Sequence, residues 1–338
     1  MRVLVIGGTQ FIGPFVVRRL ARMGHDVTIF HRGEHEVDLP EGVRHLHGAR
    51  AEMGQFTGEF RALAPDVVLD MRAMTGYDAQ VTIDAVRGTA RRLVAISSMD
   101  VYHAYGVLTG FEGGDIEPMP ITEDSPVRTK LYLYRAGGGS PRLADNANYD
   151  KLNVERLVLG QPDLAGTVLR LPVVYGPGDA QHRLWPYLKR IDDGRPAILL
   201  DEVVARRRFA RSYVDNVAAA VALAVTDDRA AGRIYNVSEP EALTELDWLQ
   251  LIVAQTGWSG QILALPSERL PEHLRSSGNP AQEMDAASSR IRHELGFREE
   301  IARDDALART IDWERSDPPA GGPTPEEYAA EDDVLAQQ

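Results

Sequence analysis

The chain has 338 residues, 43% hydrophobic and 26% charged, which suits a large core with a second lobe and excludes wholesale disorder or a fibrous repeat. Its 37 basic and 50 acidic residues give a net charge of −13, which argues against nucleic acid and membranes as partners. The absence of cysteine excludes disulfides, thiolate nucleophiles and thiolate metal sites. The first residues lack a signal-peptide pattern, and we expect a cytoplasmic protein.

Short runs rich in branched side chains alternate with helical patterns along the first two thirds of the chain. Seven of these runs are predicted to be buried strands: Val3–Ile6, Val27–Phe30, Val43–Leu46, Val67–Leu69, Leu93–Ser97, Thr167–Leu171 and Ile234–Val237. A helix is predicted between the first two, ending at Gly24, and another from Lys151 to Leu159. Strands that alternate with helices predict an α/β fold, a doubly wound parallel sheet of the Rossmann type.

The strand pattern fades after residue 177, where a smaller lobe is expected to begin. We predict a dinucleotide-binding Rossmann domain formed by residues 1–177 and 206–239. A discontinuous C-terminal substrate lobe is predicted for residues 178–205 and 240–315. Residues 316–338 are rich in Pro, Gly and acids, and we expect an extended acidic tail there.

A glycine-rich turn joins the first predicted strand to the first helix. Residues without a Cβ let the backbone approach a pyrophosphate, and the helix start offers unpaired N–H groups and a positive dipole end. Because the turn follows a strand and opens an amphipathic helix, it predicts a dinucleotide site rather than a merely tight turn. The predicted cofactor contacts in this turn are Gly7, Thr9, Gln10, Phe11, Ile12 and Gly13.

The turn resembles that of extended short-chain dehydrogenases/reductases of the NAD-dependent epimerase/dehydratase family. Gly7 and Gly13 match the family's Gly-x-x-Gly-x-x-Gly, whereas Gln10 replaces the central glycine. Atypical members, including chloroplast stem-loop RNA-binding relatives, share this form. The resemblance covers about residues 1–315 and implies a Rossmann fold, an NAD(P) cofactor and a possible homodimer.

The end of the second strand bears on the choice of nucleotide. Family members that prefer NAD carry an acid there, but this chain has His31 and Arg32. Arg32 could pair with a 2′-phosphate, so the sequence modestly favours NADP over NAD, with both residues as cofactor contacts. Alternatively, Arg32 is a solvated loop cation. Arg50 lies near the place of the family's adenine-contacting Asp.

Ser98 and Lys151 match two catalytic positions of the family. Ser97-Ser98-Met99-Asp100-Val101-Tyr102 is similar to Ser-Ser-x-x-Val-Tyr, in which the second serine hydrogen-bonds the reacting hydroxyl. Lys151 with Glu155 resembles Lys-x-x-x-Glu, and the resemblance gives the lysine both a catalytic and a cofactor-binding role. The alternatives are a strand cap for Ser98 and a surface helical position for Lys151.

The family tyrosine four residues before this lysine is missing, because that position is Ala147. Tyr149 lies two residues before Lys151, and residues i and i+2 of a regular helix point about 200° apart. If the helix starts near Asp150, Tyr149 precedes it and could turn inward. We therefore predict Tyr149 as the catalytic acid–base, with its pKa lowered by Lys151 and the nicotinamide ring.

Asp100 stands where dehydratases of the family carry the last residue of Thr-Asp-Glu. Met99 replaces the preceding acid, which disfavours dehydration by that route. We assign Asp100 to the substrate-binding residues; it could serve as a lone base or as a structural turn acid.

The segment Arg170 to Asp179 resembles Arg-x-x-x-Val-Tyr-Gly-Pro-Gly-Asp, which implies that Pro172 packs near the nicotinamide. Val173 replaces an Asn that contacts substrate phosphate in members acting on nucleotide sugars. Further on, Phe209 takes the place of a diphosphate-clamping arginine. Arg211 shares its strand parity and is the predicted substitute for substrate binding; alternatively, the arginines there balance the acidic surface.

Four of the nine histidines, at positions 31, 35, 45 and 47, fall in one stretch. They are interpreted as loop and strand residues without an accompanying acid cluster, so we predict no catalytic metal.

The leading hypothesis is an NAD(P)-dependent oxidoreductase or epimerase, hence an oxidoreductase or isomerase. It would act by hydride transfer on a hydroxyl-bearing small molecule, a sugar or nucleotide sugar. One alternative is an NAD(P)-binding sensor or scaffold without catalysis, motivated by Ala147 and Gln10. The other is an RNA-binding protein, which rests only on the kinship of the glycine turn.

Overall fold

The computed structural model describes residues 1–135, 147–279 and 281–337. Its strands are, in chain order, Arg2–Ile6 (β1), Asp26–His31 (β2), Arg44–His47 (β3), Val67–Asp70 (β4), Arg92–Ser98 (β5), Ala165–Leu171 (β6), Val173–Tyr175 (β7), Ala197–Asp201 (β8), Arg211–Tyr213 (β9), Ile234–Asn236 (β10) and Gln261–Leu265 (β11). Its helices are Ile12–Arg22 (α1), Thr57–Leu63 (α2), Gly76–Val86 (α3), His103–Thr109 (α4), Lys151–Leu159 (α5), Trp185–Asp192 (α6), Glu202–Arg206 (α7), Val214–Thr226 (α8), Glu245–Thr256 (α9), Ser289–Leu295 (α10), Arg303–Ser316 (α11) and Pro325–Leu335 (α12).

A seven-stranded parallel sheet forms the centre of the molecule. Its spatial order is β10-β6-β5-β4-β1-β2-β3, and each neighbouring pair is parallel. The chain runs outward in opposite directions from β1 and β4, so a crevice opens between their carboxyl ends. The seven strands predicted from the sequence are the strands of this sheet, and the predicted Rossmann-type fold is confirmed.

The two faces of the sheet bury different hydrophobic clusters, because successive residues of a strand point to opposite faces. Val3 and Val5 of β1 belong to the cluster that contains α1 and α8. Leu4 and Ile6 belong to the cluster that contains α3 and α5. Coverage on both faces explains why the strands are apolar throughout rather than alternating with polar residues.

The C-terminus of α1 and the N-terminus of α5 both follow from local sequence signals. Helix α1 stops at Arg22, one residue short of Met23, which is 50% exposed, and Gly24 follows in the left-handed region at φ 81°. Helix α5 starts at Lys151 because the side chain of Asp150 accepts the Leu152 N–H at 3.0 Å. Tyr149 therefore precedes the helix.

Outside the central sheet, β8 pairs with β11 and β7 pairs with β9, both in parallel. Helix α9 contacts α6 and α7, and α7 contacts both strands of the β8–β11 pair. Strands β8 and β11 and helices α6 and α9 fall within the two segments expected to form the smaller lobe, and α7 passes the expected boundary by one residue. Strands β7 and β9 fall in the segments expected to form the Rossmann domain, and the boundaries of both domains stay a prediction. Among the described residues, no helix combines the length and apolarity that a bilayer crossing requires.

The expected extended tail at residues 316–338 is corrected by the structure. Helix α12 forms there, and its start is capped because Thr324 Oγ1 accepts the Glu327 N–H at 3.2 Å. Glu331 of this helix is fully buried and accepts a hydrogen bond from Arg190 Nε at 3.1 Å. The end of the chain is thus docked on α6 by a buried ion pair.

Candidate active site

The turn after β1 has the shape that a pyrophosphate requires. Gly7 and Gly8 adopt φ values of 89° and 99°, which side chains with a Cβ rarely tolerate. A Cβ on Gly13 would lie 2.5 Å from the backbone of Gly8, so helix and strand approach at a distance that only glycine allows. The turn therefore brings the start of α1 close to the end of β1.

The start of α1 is open to an anion. Phe11, at the cap position with φ 45°, makes no side-chain capping hydrogen bond, and the first turn contains no acid. Gln10, which replaces the family's central glycine, is exposed, and its carbonyl accepts the Gly13 N–H at 2.9 Å. Gln10 also lines the cleft in front of the helix start, where unpaired N–H groups can bind a negative charge.

A cleft of about 380 Å³ runs along the carboxyl ends of β1, β2, β4 and β5. Of the predicted cofactor contacts, Gly7, Thr9, Gln10, Phe11, Ile12, His31 and Arg32 line it, whereas Gly13, Lys151 and Pro172 are not among its lining residues. At the β5 side, Met74 and Ile96 complete the wall. A glycine turn, a free helix start and a long cleft at the switch point of the sheet fit a dinucleotide.

Arg32, at the β2 end of the cleft, forms an ion pair with Glu34 at 2.7 Å, and both side chains are about half exposed. Arg50 donates to both carboxylate oxygens of Asp70, at 2.7 and 2.8 Å. Burial works to raise the pKa of Asp70, but the Arg50 guanidinium outweighs it and holds the pKa below its usual range. The sequence did not predict this pair, which joins the segment after β3 to the end of β4.

Lys151 is buried next to Ile96, a residue of the cleft wall. Its Nζ donates to the carbonyl oxygens of Ala73 at 2.7 Å and Ile96 at 2.9 Å, next to the ends of β4 and β5. Burial lowers the pKa of Lys151 to about 8, although Asp100 and Asp70 oppose this effect. A surface helical position, the alternative considered for this lysine, is excluded by its burial.

Tyr149 turns inward, as a residue ahead of the helix can. Its side chain is buried, and its hydroxyl donates to Asp100 Oδ2 at 2.7 Å. The ring centroid lies 6.0 Å from Lys151 Nζ. Asp100 thus connects the tyrosine to the segment that follows β5.

The expected lowering of the Tyr149 pKa is wrong. Burial and the Asp100 carboxylate raise the pKa of Tyr149 well above its ordinary value. The electrostatic effect of Lys151 does not reverse this, because the phenol is desolvated and already faces a negative group. Tyr149 is therefore a neutral hydrogen-bond donor in this structure.

Asp100 has one oxygen without a partner among the residues that the structure describes. Its Oδ2 accepts from Tyr149, whereas its Oδ1 is buried and accepts no hydrogen bond from this part of the chain. Burial raises the pKa of Asp100, with the Tyr149 hydrogen bond and the charges of Arg128 and Lys151 acting against it. A buried, unpaired carboxylate oxygen can accept a hydrogen bond from a ligand hydroxyl.

Ser98 ends β5 and caps the short turn that follows. Its Oγ accepts the backbone N–H of Asp100 at 3.2 Å, which is the capping role considered as its alternative. Because the oxygen accepts in this bond, the hydroxyl hydrogen is left to donate. Ser98 and Tyr149 are thus linked through the backbone and side chain of one residue, Asp100.

Two neighbours of Asp100 were missed in the sequence. Tyr134 lies with its hydroxyl 3.5 Å from Asp100 Oδ2 and its ring centroid 5.2 Å from that of Tyr149. Arg128, which is fully buried, donates from Nε to the Asp100 carbonyl at 2.5 Å and lies 3.4 Å from Asp150. Both come from an irregular loop that carries no periodic pattern, so no sequence signal singled them out.

Two residues of the segments compared with the family's substrate side, Val173 and Arg211, line a second cavity, separate from the dinucleotide cleft. Pro172 joins β6 to β7 and is half-buried, and the next residue, Val173, lines this cavity of about 480 Å³. Arg211 lines the same cavity, but its guanidinium is ion-paired with Glu245 and lies 4.8 Å from the ring centroid of Trp248. Its positive charge is therefore already compensated.

The histidines near the cleft do have an acidic neighbour, contrary to the interpretation of the sequence. One possible ligand atom from each of four residues lies within 4.8 Å of the others: an oxygen of Glu36 and a ring nitrogen of His31, His45 and His47. His35 lines the cleft but is not in this group.

Comparison with known proteins places the chain in a family. The family model described as the NAD dependent epimerase/dehydratase family matches residues 3–137 and 138–238. The chain is 28% identical over 286 residues to 2'-dehydrokanamycin reductase from Streptomyces kanamyceticus, covering 82% of this chain and 73% of that protein.

Two further matches illustrate the range of similar proteins. The chain is 23% identical to chloroplast stem-loop binding protein of 41 kDa b from Arabidopsis thaliana, covering 76% of this chain and 63% of that protein. The structure of dTDP-glucose 4,6-dehydratase from Bacillus anthracis in complex with NAD has a TM-score of 0.69 at 15% identity, covering 94% of this chain and 97% of that one. Since the family model matches well over half of the chain, this protein belongs to the NAD-dependent epimerase/dehydratase family.

Proposed function

We propose that this protein is an oxidoreductase that interconverts a secondary hydroxyl and a ketone on a sugar or nucleotide sugar, with NADP favoured over NAD. The observation that carries the proposal is the buried Asp100–Tyr149 pair near Lys151, whose Nζ donates to the carbonyl of Ile96, a residue of the cleft wall. The similarity to a protein named 2'-dehydrokanamycin reductase supports a carbonyl group on a sugar-like molecule as the reacting group.

The residues that would hold the dinucleotide are those of the cleft. The turn from Gly7 to Gly13 and the start of α1 would hold the pyrophosphate, and Lys151 the nicotinamide ribose. His31 and Arg32 are placed for the adenosine side, where a cation favours a 2′-phosphate. When bound, the nicotinamide accepts or delivers hydride.

Asp100 would transfer the proton, and Tyr149 would position its carboxylate. In the oxidation direction Asp100 Oδ1 accepts the proton of the substrate hydroxyl, and in reduction the protonated Asp100 returns it to the carbonyl oxygen. Tyr149 stays neutral and holds Oδ2 in place, because its pKa is raised. Burial raises the pKa of Asp100, which makes its carboxylate a stronger proton acceptor than an exposed one. Ser98 would donate a hydrogen bond to the reacting oxygen.

The cavity beside Val173 offers room for the rest of the substrate. It contains hydrogen-bonding side chains and an indole ring, Trp248, which are typical of sugar sites. Three of the four arginines that line the cavity are paired with acids, Arg183 with Asp179, Arg190 with Glu331 and Arg211 with Glu245. The cavity therefore suits a polar, largely uncharged substrate portion better than a diphosphate. This favours a sugar over a nucleotide sugar.

The proposal can be tested by isotope transfer. Purified protein is incubated with NADPH deuterated at C4 of the nicotinamide and a panel of keto-sugars, and deuterium in the product alcohol is measured by mass spectrometry. We expect Asp100→Asn and Tyr149→Phe to lower kcat by about 10²–10⁴ while NADPH affinity is retained. Tyr134→Phe, which changes a phenol farther from Asp100, is the matched control and should lose much less.

The alternatives give different results in the same assay. Tight NADPH binding without deuterium transfer to any member of the panel would favour a sensor or scaffold. Full activity in both Asp100→Asn and Tyr149→Phe would remove this pair from the mechanism and leave only the cofactor assignment.

A further inference from the structure

Three histidines project from one face of the sheet at its β2–β3 edge. His45 and His47 are two residues apart on β3 and so share a face. His31 is the register partner of His47 on β2. Their ring centroids are 4.7–6.1 Å apart. The carboxylate of Glu36, in the loop that joins the two strands, lies beside them. We call these four residues the histidine cluster.

The atoms of the histidine cluster already lie near the spacing of metal ligands. His31 Nε2 is 3.0 Å from His45 Nδ1. The Glu36 carboxylate oxygens lie 3.4 Å from His47 Nε2 and 3.8 Å from His45 Nδ1. Tetrahedral zinc with bonds of about 2.0–2.1 Å requires ligand atoms roughly 3.4 Å apart. The widest separation, 4.8 Å, can shorten by rotation of the half-exposed side chains of Glu36 and His47.

We propose that the histidine cluster is a structural zinc site with three imidazole ligands and one carboxylate. Nitrogen-rich sets with one oxygen suit zinc, whereas calcium and magnesium prefer oxygen ligands. Four ligands from the protein close the tetrahedron, so no position is left for a reacting water. The site is therefore structural, which is compatible with the expectation of no catalytic metal.

The position in the sheet also separates this site from the proposed chemistry. β3 lies four strands from β5, which is roughly 19 Å at about 4.8 Å per strand. Bound zinc would tie the edge strand β3 and the loop of residues 32–43 to β2. His31 also lines the dinucleotide cleft, so the two proposals share this residue, but the inference rests on the geometry of the histidine cluster and not on the proposed chemistry.

Metal binding replaces two contacts, the hydrogen bond between His31 Nε2 and His45 Nδ1 and a second one at the other nitrogen of His31. The backbone N–H of Gly33 points to His31 Nδ1 at 3.3 Å, so this nitrogen is an acceptor in the metal-free protein. If Nε2 binds zinc, Nδ1 carries the ring hydrogen and this contact is lost. Gly33 lies in an exposed loop, where its backbone can turn to accommodate the change.

The test uses the full-length chain without an affinity tag, stripped of metal with EDTA. The protein is dialysed against zinc, and bound metal is measured by plasma mass spectrometry, while cobalt binding is followed by its visible absorption spectrum. We expect about one zinc ion per chain and the intense bands of tetrahedral cobalt. His45→Ala and His47→Ala should each weaken zinc binding by about tenfold or more.

His293→Ala removes an exposed histidine far from the histidine cluster in sequence and is the matched control. It should bind zinc as the unchanged protein does. Zinc should raise the melting temperature of the unchanged protein and of this control but not of the two cluster variants. Melting in EDTA shows whether each variant is folded before zinc is added.

Any one of three results would overturn the proposal. The unchanged protein could retain no zinc, His293→Ala could lose as much zinc affinity as His45→Ala, or the cobalt spectrum could be octahedral. Deuterium transfer from NADPH is assayed separately on EDTA-treated protein, so a failure of the zinc site and a failure of the proposed function give distinct results.

Discussion

Lys151 lies in the protein interior, with its Nζ on the carbonyl oxygens of Ala73 and Ile96. Burial disfavours the ammonium form, which lowers the pKa of Lys151 to about 8 in the folded protein. In the unfolded chain the lysine is solvated and has its ordinary, higher pKa. The unfolded chain therefore binds more protons at this residue between about pH 8 and pH 10.

This difference predicts a pH dependence of stability. The contribution of Lys151 to the free energy of unfolding should rise from about pH 8 towards pH 10 and be lost as the pH falls through 8. Urea unfolding of the unchanged protein and of Lys151→Met is compared at several pH values in this range. The stability of the unchanged protein relative to the variant should increase with pH. Parallel curves would contradict the buried, perturbed lysine.

Sequence reasoning located several of these residues but not their chemistry. The spacing of Tyr149 and Lys151 allowed an inward tyrosine, and the start of α5 at Lys151 permits it. The hydrogen bond from Tyr149 to Asp100 joins residues 49 positions apart, and a one-dimensional pattern does not contain such a pairing. The sign of the Tyr149 pKa shift depends on that contact and on burial, so it could not be predicted from Lys151 alone.

At the scale of elements, the sequence pattern predicted the strands of the central sheet correctly but did not predict the helix at residues 325–335. Buried parallel strands are continuous apolar runs, which are visible in the sequence. Helix α12 is acidic and is held by residues distant in the chain: Glu331 pairs with Arg190, 141 positions earlier, and Asp332 pairs with Arg195. Most of the stability of such a helix comes from its docking, and an acidic composition by itself suggests a solvated tail.

This docking predicts a large effect at Glu331. Its carboxylate also lies 3.1 Å from His273 Nε2, so Glu331→Gln would leave Arg190 buried without its counter-charge. We expect a loss of about 3–5 kcal/mol in the free energy of unfolding. Glu326→Gln changes an exposed acid on the same helix and should alter it by less than about 0.5 kcal/mol. Urea titration monitors both, and equal small effects would show that α12 is not docked through Glu331.

At the scale of the whole molecule, a net charge of −13 surrounds a cleft whose β2 end is basic. The acidic surface opposes the approach of any polyanion, whereas Arg32 favours a phosphate locally. Glu34 pairs with Arg32 at 2.7 Å and would compete with a 2′-phosphate for it. The preference for NADP is thus a balance between one exposed cation and its acidic surroundings, and the sequence indicated only the cation.

This balance can be shifted from both sides. Arg32→Ala should weaken NADPH binding by about tenfold and leave NADH binding nearly unchanged, because NADH lacks the phosphate. Glu34→Gln should strengthen NADPH binding by releasing Arg32. Arg61→Ala, which changes an exposed arginine on α2, is the control.

Dissociation constants are measured by nicotinamide fluorescence from about 0.05 to 0.5 M salt, over which the Debye length falls severalfold. Since Arg32 and Glu34 are both about half exposed, the preference for NADPH should shrink as salt rises. A preference that is independent of salt and of Arg32 would assign nucleotide choice to another part of the cleft.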